Sequence, residues 1–263
     1  MCATCGCGDA GREHDGHHHH DHDHVHGPDD VPHVHAHRTP RTVRLEQDVL
    51  AKNDRLAARN RTWLDERGVV ALNVMSSPGA GKTTLLERTV RELAGELTIG
   101  VIEGDQATGR DAERIRAAGG HVVQINTGTG CHLDADMVGA ALRELDPPAR
   151  SLVLIENVGN LVCPALFALG ERAKVVLMAV TEGEDKPLKY PHMFRASNVL
   201  VLTKVDLLPH LDVDVARCLE FARRTNPRLE ILQTSATRGQ GLDGWYARLR
   251  ASVAEGLRVL GAR

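Results

Sequence analysis

An aliphatic run, Val69–Met75, breaks at Ser76 into S-S-P-G-A-G-K-T-T (Ser76–Thr84), and helical spacing resumes at Lys82. This strand–turn–helix unit limits the possible folds more than any other segment. The turn fits the pattern GxxxxGK(S/T), with Ser76 standing where the pattern has its first glycine. Gly79 and Gly81 permit tight turns around Ala80, so successive N–H groups point at one anion. The helix after the turn adds the positive end of its dipole. Lys82 is placed to reach β- and γ-phosphates, Thr83 to ligate Mg2+, and Thr84 to complete the cradle. Serine at position 76 is expected to alter the turn without abolishing phosphate binding.

Around this unit the pattern alternates. Strand candidates are Val69–Met75, Leu97–Glu103, His121–Ile125, Leu152–Glu156, Lys174–Val180, Val199–Thr203 and Leu229–Leu232. Helical spacing covers Lys82–Leu93, Asp111–Ala118, Asp134–Leu145, Val213–Arg224 and Leu242–Leu257, with an amphipathic helix from about Val43 to Arg67 ahead of them. Near-continuous aliphatic strands between helices imply a doubly wound α/β domain, a mostly parallel sheet of about seven strands covered on both faces. With 42% hydrophobic but only 3% aromatic residues, the core is built from Val, Leu, Ile and Ala. A net charge of −3 supplies no field for nucleic acid or anionic membrane. No apolar run reaches the roughly 18–20 residues of a membrane span, and no signal-peptide core opens the chain, so a cytoplasmic protein is expected.

Composition changes near residue 40. Residues 1–40 lack apolar periodicity and are expected to form a disordered tail ahead of a single domain over 41–263. C-A-T-C-G-C places Cys2, Cys5 and Cys7 on one short segment. In a reducing compartment such thiolates bind metal rather than form bridges, and three of them suit square-planar Ni2+ or tetrahedral Zn2+. A redox CxxC would need strand–helix context that is missing here. Behind them lies a tract of imidazoles: His14, His17, His18, His19, His20, His22, His24, His26, His33, His35 and His37. Imidazole suits nickel, copper and zinc, so the tract reads as a store with no fixed geometry.

The other motifs stand at strand ends. T-K-V-D (Thr203–Asp206) resembles the guanine-reading motif of GTPases. The Asp206 carboxylate can accept from the N1–H and 2-amino groups of guanine, donors that adenine lacks, while the stem of Lys204 covers the base. Ser235–Ala236 resembles the last such motif, whose main-chain N–H groups back the base. E-G-D (Glu103–Asp105) and L-I-E-N-V-G-N (Leu154–Asn160) bring acids to the same edge. Asp105 is expected to hold Mg2+ or position water, Glu156 to stand near the metal, and Gly159 near the γ-phosphate; with Lys82, these acids form the expected catalytic set. G-C-H and N-L-V-C-P come after the third and fourth strands, so Cys131, His132 and Cys163 can converge on a metal. Cys218, on an amphipathic helix, reads as an inert core residue.

Taken together, these motifs resemble the HypB family, the nickel-insertion GTPases of nickel–iron hydrogenase maturation. The resemblance runs over nearly the whole chain, from C-A-T-C-G-C to T-K-V-D. It implies a GTP-promoted homodimer with the Cys131/His132/Cys163 site near its interface, holding nickel or zinc. It also implies a HypA-type accessory protein and the hydrogenase large-subunit precursor as partners. A nickel storage protein and the related urease nickel-insertion GTPase are the alternatives. The terminal cysteine motif, and a G-C-H separate from Cys163, favour the hydrogenase system.

Overall fold

The computed structural model describes residues 40–105 and 109–261. Cys2, Cys5, Cys7 and the histidine tract lie outside the described residues. Two compact units divide between Val49 and Leu50. The described part of the first is the helical stretch 40–49; the second holds the whole sheet.

Helix α1 (Pro40–Arg67) leads into β1 (Val70–Ser76), α2 (Lys82–Leu93), β2 (Ile99–Asp105), α3 (Arg110–Ala117) and β3 (His121–Asn126). Next come α4 (Ala135–Leu145), β4 (Leu152–Glu156), α5 (Cys163–Leu166), β5 (Ala173–Ala179), α6 (Lys186–Lys189) and α7 (Pro191–Ala196). The chain closes with β6 (Val199–Thr203), α8 (Val215–Thr225), β7 (Glu230–Gln233) and α9 (Leu242–Gly261). All seven strands are parallel, in the order β3-β2-β4-β1-β5-β6-β7. β1 therefore lies where the winding changes direction, with β4 on one side and β5 on the other. Loops diverge there at the carboxyl ends of the strands, the usual place for a ligand crevice.

The strands sit close to where the aliphatic runs put them. β2 begins two residues later than expected because Leu97 completes the turn after α2, its N–H bonded to Leu93 O at 2.9 Å. Strand alternation sorts the core. Val70, Leu72 and Val74 face a layer with Leu85, Leu86, Trp245 and Leu249, where the Trp245 indole donates to Thr89 Oγ1 at 2.9 Å. On the other face, Ala71 packs with Leu64, Leu142 and Ile155, and Met75 with Phe194, Leu200 and Cys218. Three short helices, α5, α6 and α7, carry proline in their first turn and have no counterpart in the apolar periodicity. They are too short to display it.

From Leu50 onward, α1 buries Asn53, Ala57, Asn60 and Leu64 on one face. Two of these are amides, and both are pinned. Asn53 donates to Ala168 O at 2.8 Å and accepts from Ala135 N at 2.9 Å; Asn60 donates to Ala135 O and Leu169 O at 2.7 and 2.9 Å. Gly170, at φ 101°, passes so close that a Cβ would stand 2.6 Å from Asn60 Cβ. Among the described residues, no helix is long and apolar enough to cross a membrane.

α4 starts immediately after the loop bearing Cys131 and His132, and Asp134 caps it. Its carboxylate accepts from Asp136 N and Met137 N at 3.0 and 2.9 Å. Asp134→Ala is expected to lower stability by about 0.5–2 kcal/mol, seen as a lower urea midpoint with an unchanged slope.

Candidate functional site

The phosphate loop leaves β1 at the winding switch. Gly79 (φ 75°) and Gly81 (φ 95°) hold left-handed conformations that side chains resist. Ser76 is fully buried; its hydroxyl accepts from Lys82 Nζ at 2.8 Å and donates to Ser77 O at 2.6 Å. The serine at the pattern's first-glycine position thus holds the loop's lysine. Burial pushes the Lys82 ammonium below the usual lysine range, opposed by Glu156, Asp111, Glu182 and Glu103. A cavity of about 550 Å3 opens above, lined by Gly79, Gly81, Lys82, Thr83, Thr84, Asp105, Glu156 and Gly159.

Acids line the floor of this cavity. Thr83 Oγ1 donates to Glu156 Oε1 at 2.7 Å. Glu156 is 3% exposed, and burial raises its carboxyl to about 7 against the Thr83 hydrogen bond and the Lys82 charge. Glu103 is 2% exposed and raised to about 8, first by burial and then by Glu156 and Asp105. The Oε2 atoms of both glutamates have no hydrogen-bond partner among the described residues. Buried, unsatisfied carboxylate oxygens beside a threonine hydroxyl form the hard oxygen donor set that a magnesium ion takes.

A second cavity, of about 220 Å3, adjoins the first and is lined by Ala80, Gly81, Thr84, Lys204, Asp206, Leu207, Ala236 and Thr237. Two bonds join its walls to the phosphate loop: Thr203 Oγ1 to Ala80 O and Lys204 Nζ to Gly79 O, both 2.7 Å. Lys204 takes a left-handed φ of 60°, which turns the chain so that Asp206 lines the cavity. Ala236 lines the cavity too. Ser235 is buried beside it, its N–H taken by Gln240 O at 2.9 Å and its hydroxyl accepting from Arg238 N at 3.1 Å.

The loops after β3 and β4 meet at this same edge. Ligand atoms of Cys131, His132 and Cys163 all lie within 4.8 Å of one another. Cys131 Sγ stands 3.4 Å from Cys163 Sγ and 3.6 Å from His132 Nδ1. His132 packs on the Phe167 ring at 4.1 Å, and burial lowers its pKa, favouring the neutral imidazole that a metal requires. Two thiolates and an imidazole suit nickel or zinc.

Three features join the two centres. Cys131 and Asn160 both line the phosphate cavity. Asn160 donates to Cys131 O at 3.2 Å and accepts from Val162 N at 2.8 Å, so one amide ties the Cys131 loop to the segment before Cys163. Gly159 comes so close to the phosphate loop that a Cβ would meet Pro78 at 3.1 Å.

Sequence reading missed Glu103, the roles of Ser76 and Asn160, and Asp111 and Arg114 on α3, which also line the cavity. E-G-D drew attention to its aspartate, although its glutamate is the more deeply buried. Cys218 is a core residue as expected, its thiol pushed up to about 11 by burial.

Comparison with known proteins points to one family. The family described as CobW/HypB/UreG, nucleotide-binding domain, matches residues 70–233. The hydrogenase maturation factor HypB of Rhizobium leguminosarum bv. viciae is 55% identical over 222 residues, 84% of this chain and 74% of that protein. HypB of Escherichia coli K12 is 55% identical over 205 residues, 78% and 71% of the two chains. The crystal structure of HypB from Helicobacter pylori in complex with nickel is 37% identical, with a TM-score of 0.73 over 78% of this chain and 96% of that one. HypB from Archaeoglobus fulgidus is 42% identical, with a TM-score of 0.72 over 77% and 99%.

The buried acids set a pH dependence. Glu103 rises from 4.5 to about 8 on folding. Its contribution is therefore fully present below the unfolded value and is lost as pH rises through the folded value. Urea midpoints of metal-free protein should fall between pH ~5 and ~8 more steeply than those of Glu103→Gln; equal slopes would mean the acid is ionised.

Proposed function

This chain belongs to the CobW/HypB/UreG family and, within it, to the HypB hydrogenase maturation factors, and from that premise we propose that it is a GTP-hydrolysing nickel carrier. Its cargo is delivered to a hydrogenase large-subunit precursor in the cytoplasm, with a HypA-type accessory protein as partner and a GTP-dependent homodimer as the working form. One observation carries the reading. Cys131, of the thiolate–imidazole cluster, also lines the cavity of the phosphate-loop lysine and threonine.

Each residue has a task in this scheme. The amides of Gly79–Thr84 cradle the phosphates, and the Lys82 ammonium passes from Ser76 Oγ to the β- and γ-phosphate oxygens. Thr83 and Asp105 would hold a magnesium ion, with Glu156 bonded to the Thr83 hydroxyl beside it, and the ion would supply charge neutralisation for the phosphates. Asp105 and Glu156 orient the attacking water, and the Gly159 N–H meets the γ-phosphate. Asp206 selects guanine, Lys204 covers the base, and the Ser235–Ala236 turn backs it. Loss of the γ-phosphate frees the Gly159 loop, and Asn160 carries that movement to Cys131 and the segment before Cys163. Residues 1–40 hold further nickel or zinc on Cys2, Cys5, Cys7 and the histidines, as a store feeding the domain.

Unassisted turnover of GTP is expected at roughly 10⁻⁴ to 10⁻² s⁻¹, with ATP not turned over. Asp206→Ala should weaken GTP binding by roughly 100-fold or more, because two charge-assisted hydrogen bonds of about 1.5–3 kcal/mol each are lost. Equal turnover of ATP and GTP by the purified chain would refute the assignment. A chain lacking residues 1–40 should keep GTP turnover and lose most of its nickel capacity. Loss of both together would contradict the division of labour.

A further inference from the structure

Two polar residues interrupt the aliphatic strands at the middle of the sheet, Asn73 in β1 and Lys174 in β5, and the two are register partners. Asn73 is fully buried and the Lys174 side chain is 13% exposed. Burying such groups is costly unless each is bonded. Here they belong to one continuous chain. Lys174 Nζ lies 3.8 Å from Glu171 Oε1, and that oxygen accepts from Asn73 Nδ2 at 3.4 Å. Asn73 Oδ1 accepts from Asn157 Nδ2 at 3.2 Å.

Both ends of the chain finish in the segments that carry the thiolates and the imidazole. At one end Lys174 Nζ donates to Pro164 O, Ala165 O and Phe167 O, at 3.3, 3.0 and 3.2 Å. These carbonyls belong to the turn that Cys163 begins and to the residue whose ring packs on His132. At the other end Asn157 Oδ1 accepts from Leu133 N at 3.2 Å, one residue after His132, and from Val158 N at 3.0 Å. Glu171 Oε2 holds Leu169 N at 2.6 Å, fixing the return of the same segment. Buried ion pairs often add little stability over apolar residues of similar volume. What the polar groups add is direction.

We propose that Lys174, Glu171, Asn73 and Asn157 are positioning residues for the metal centre, a buried polar chain that sets the spacing of the Cys131–His132 loop against Cys163. The proposal rests on the reading of Cys131, His132 and Cys163 as a nickel site. None of the four touches the metal; they fix the backbone from which its ligands project. Partners of this kind commonly change metal affinity by roughly 10- to 100-fold when removed.

The test uses the full chain carrying Cys2→Ala, Cys5→Ala and Cys7→Ala, so that thiolate-to-nickel absorption reports on Cys131 and Cys163. Nickel is titrated with GDP bound. The paired variant Glu171→Gln with Lys174→Met, which removes both charges of that pair, should shift the absorption band and weaken nickel binding by roughly 10-fold or more, with GDP affinity unchanged. Lys174→Arg, which keeps the charge and the N–H donors, should keep the parent band. Asn73→Val, an apolar replacement in an apolar strand, cuts the chain midway and should shift the band in the same way, should the paired variant fail to fold. A band and affinity that stay at the parent values in both the paired variant and Asn73→Val would overturn the proposal. So would a loss of GDP affinity in step with nickel, the mark of general unfolding. Absence of any band in the parent protein would instead remove the nickel site itself, and this proposal with it.

Discussion

Glu156 ends β4 beside the turn in which β1 becomes the phosphate loop, and the 2.7 Å hydrogen bond it accepts from Thr83 fastens the two together. Much of the working edge depends on that junction. The segment leaving Glu156 holds Asn157 beneath the metal loops, Gly159 against Pro78 and Asn160 on Cys131. Within a few residues one segment touches the phosphate cavity, the loops of Cys131 and Cys163 and the polar centre of the sheet. The winding order makes this possible, because it sets β4 directly beside β1.

The junction also brings together groups that prefer to stay apart. Glu103 and Glu156 are buried near each other, and both carboxyls are raised well above their ordinary range. Lys82 is drawn down by burial in the same pocket. An arrangement so far from electrostatic rest is poorly explained by stability alone and suits a site completed by ions. A cation between the acids and an anion on the lysine would relieve both strains at once. The Cys131/His132/Cys163 cluster has a related logic: a neutral His132 and two sulfurs within reach would lose little on meeting a soft or borderline ion.

Much of this was legible in the sequence, for identifiable reasons. Strands buried on both faces read as aliphatic runs, which is why Leu152–Glu156 and Val199–Thr203 coincide with β4 and β6. Phosphate-loop chemistry needs particular residue types at fixed spacing, so Gly81, Lys82 and Thr83 announced it. Cys131, His132 and Cys163 could be paired because both loops had to leave the same edge of a parallel sheet. Buried asparagines were not legible. Asn53, Asn60, Asn73 and Asn157 look like surface residues in any hydropathy pattern, and their partners are main-chain groups or amides far along the chain. Glu103 was hidden for the same reason, since only the packed fold shows which acid in E-G-D is withdrawn from water.

In the function proposed above the nucleotide state governs the Cys131/His132/Cys163 site, and the most direct test is nickel affinity measured by thiolate absorption with GDP and with a non-hydrolysable GTP analogue. The protein should carry alanine at Cys2, Cys5 and Cys7 so that only the domain site reports. Coupling through Asn160 and Gly159 predicts a change of roughly tenfold or more between the two states, matched by an equal effect of nickel on nucleotide affinity. Identical nickel affinity in both states would contradict the account.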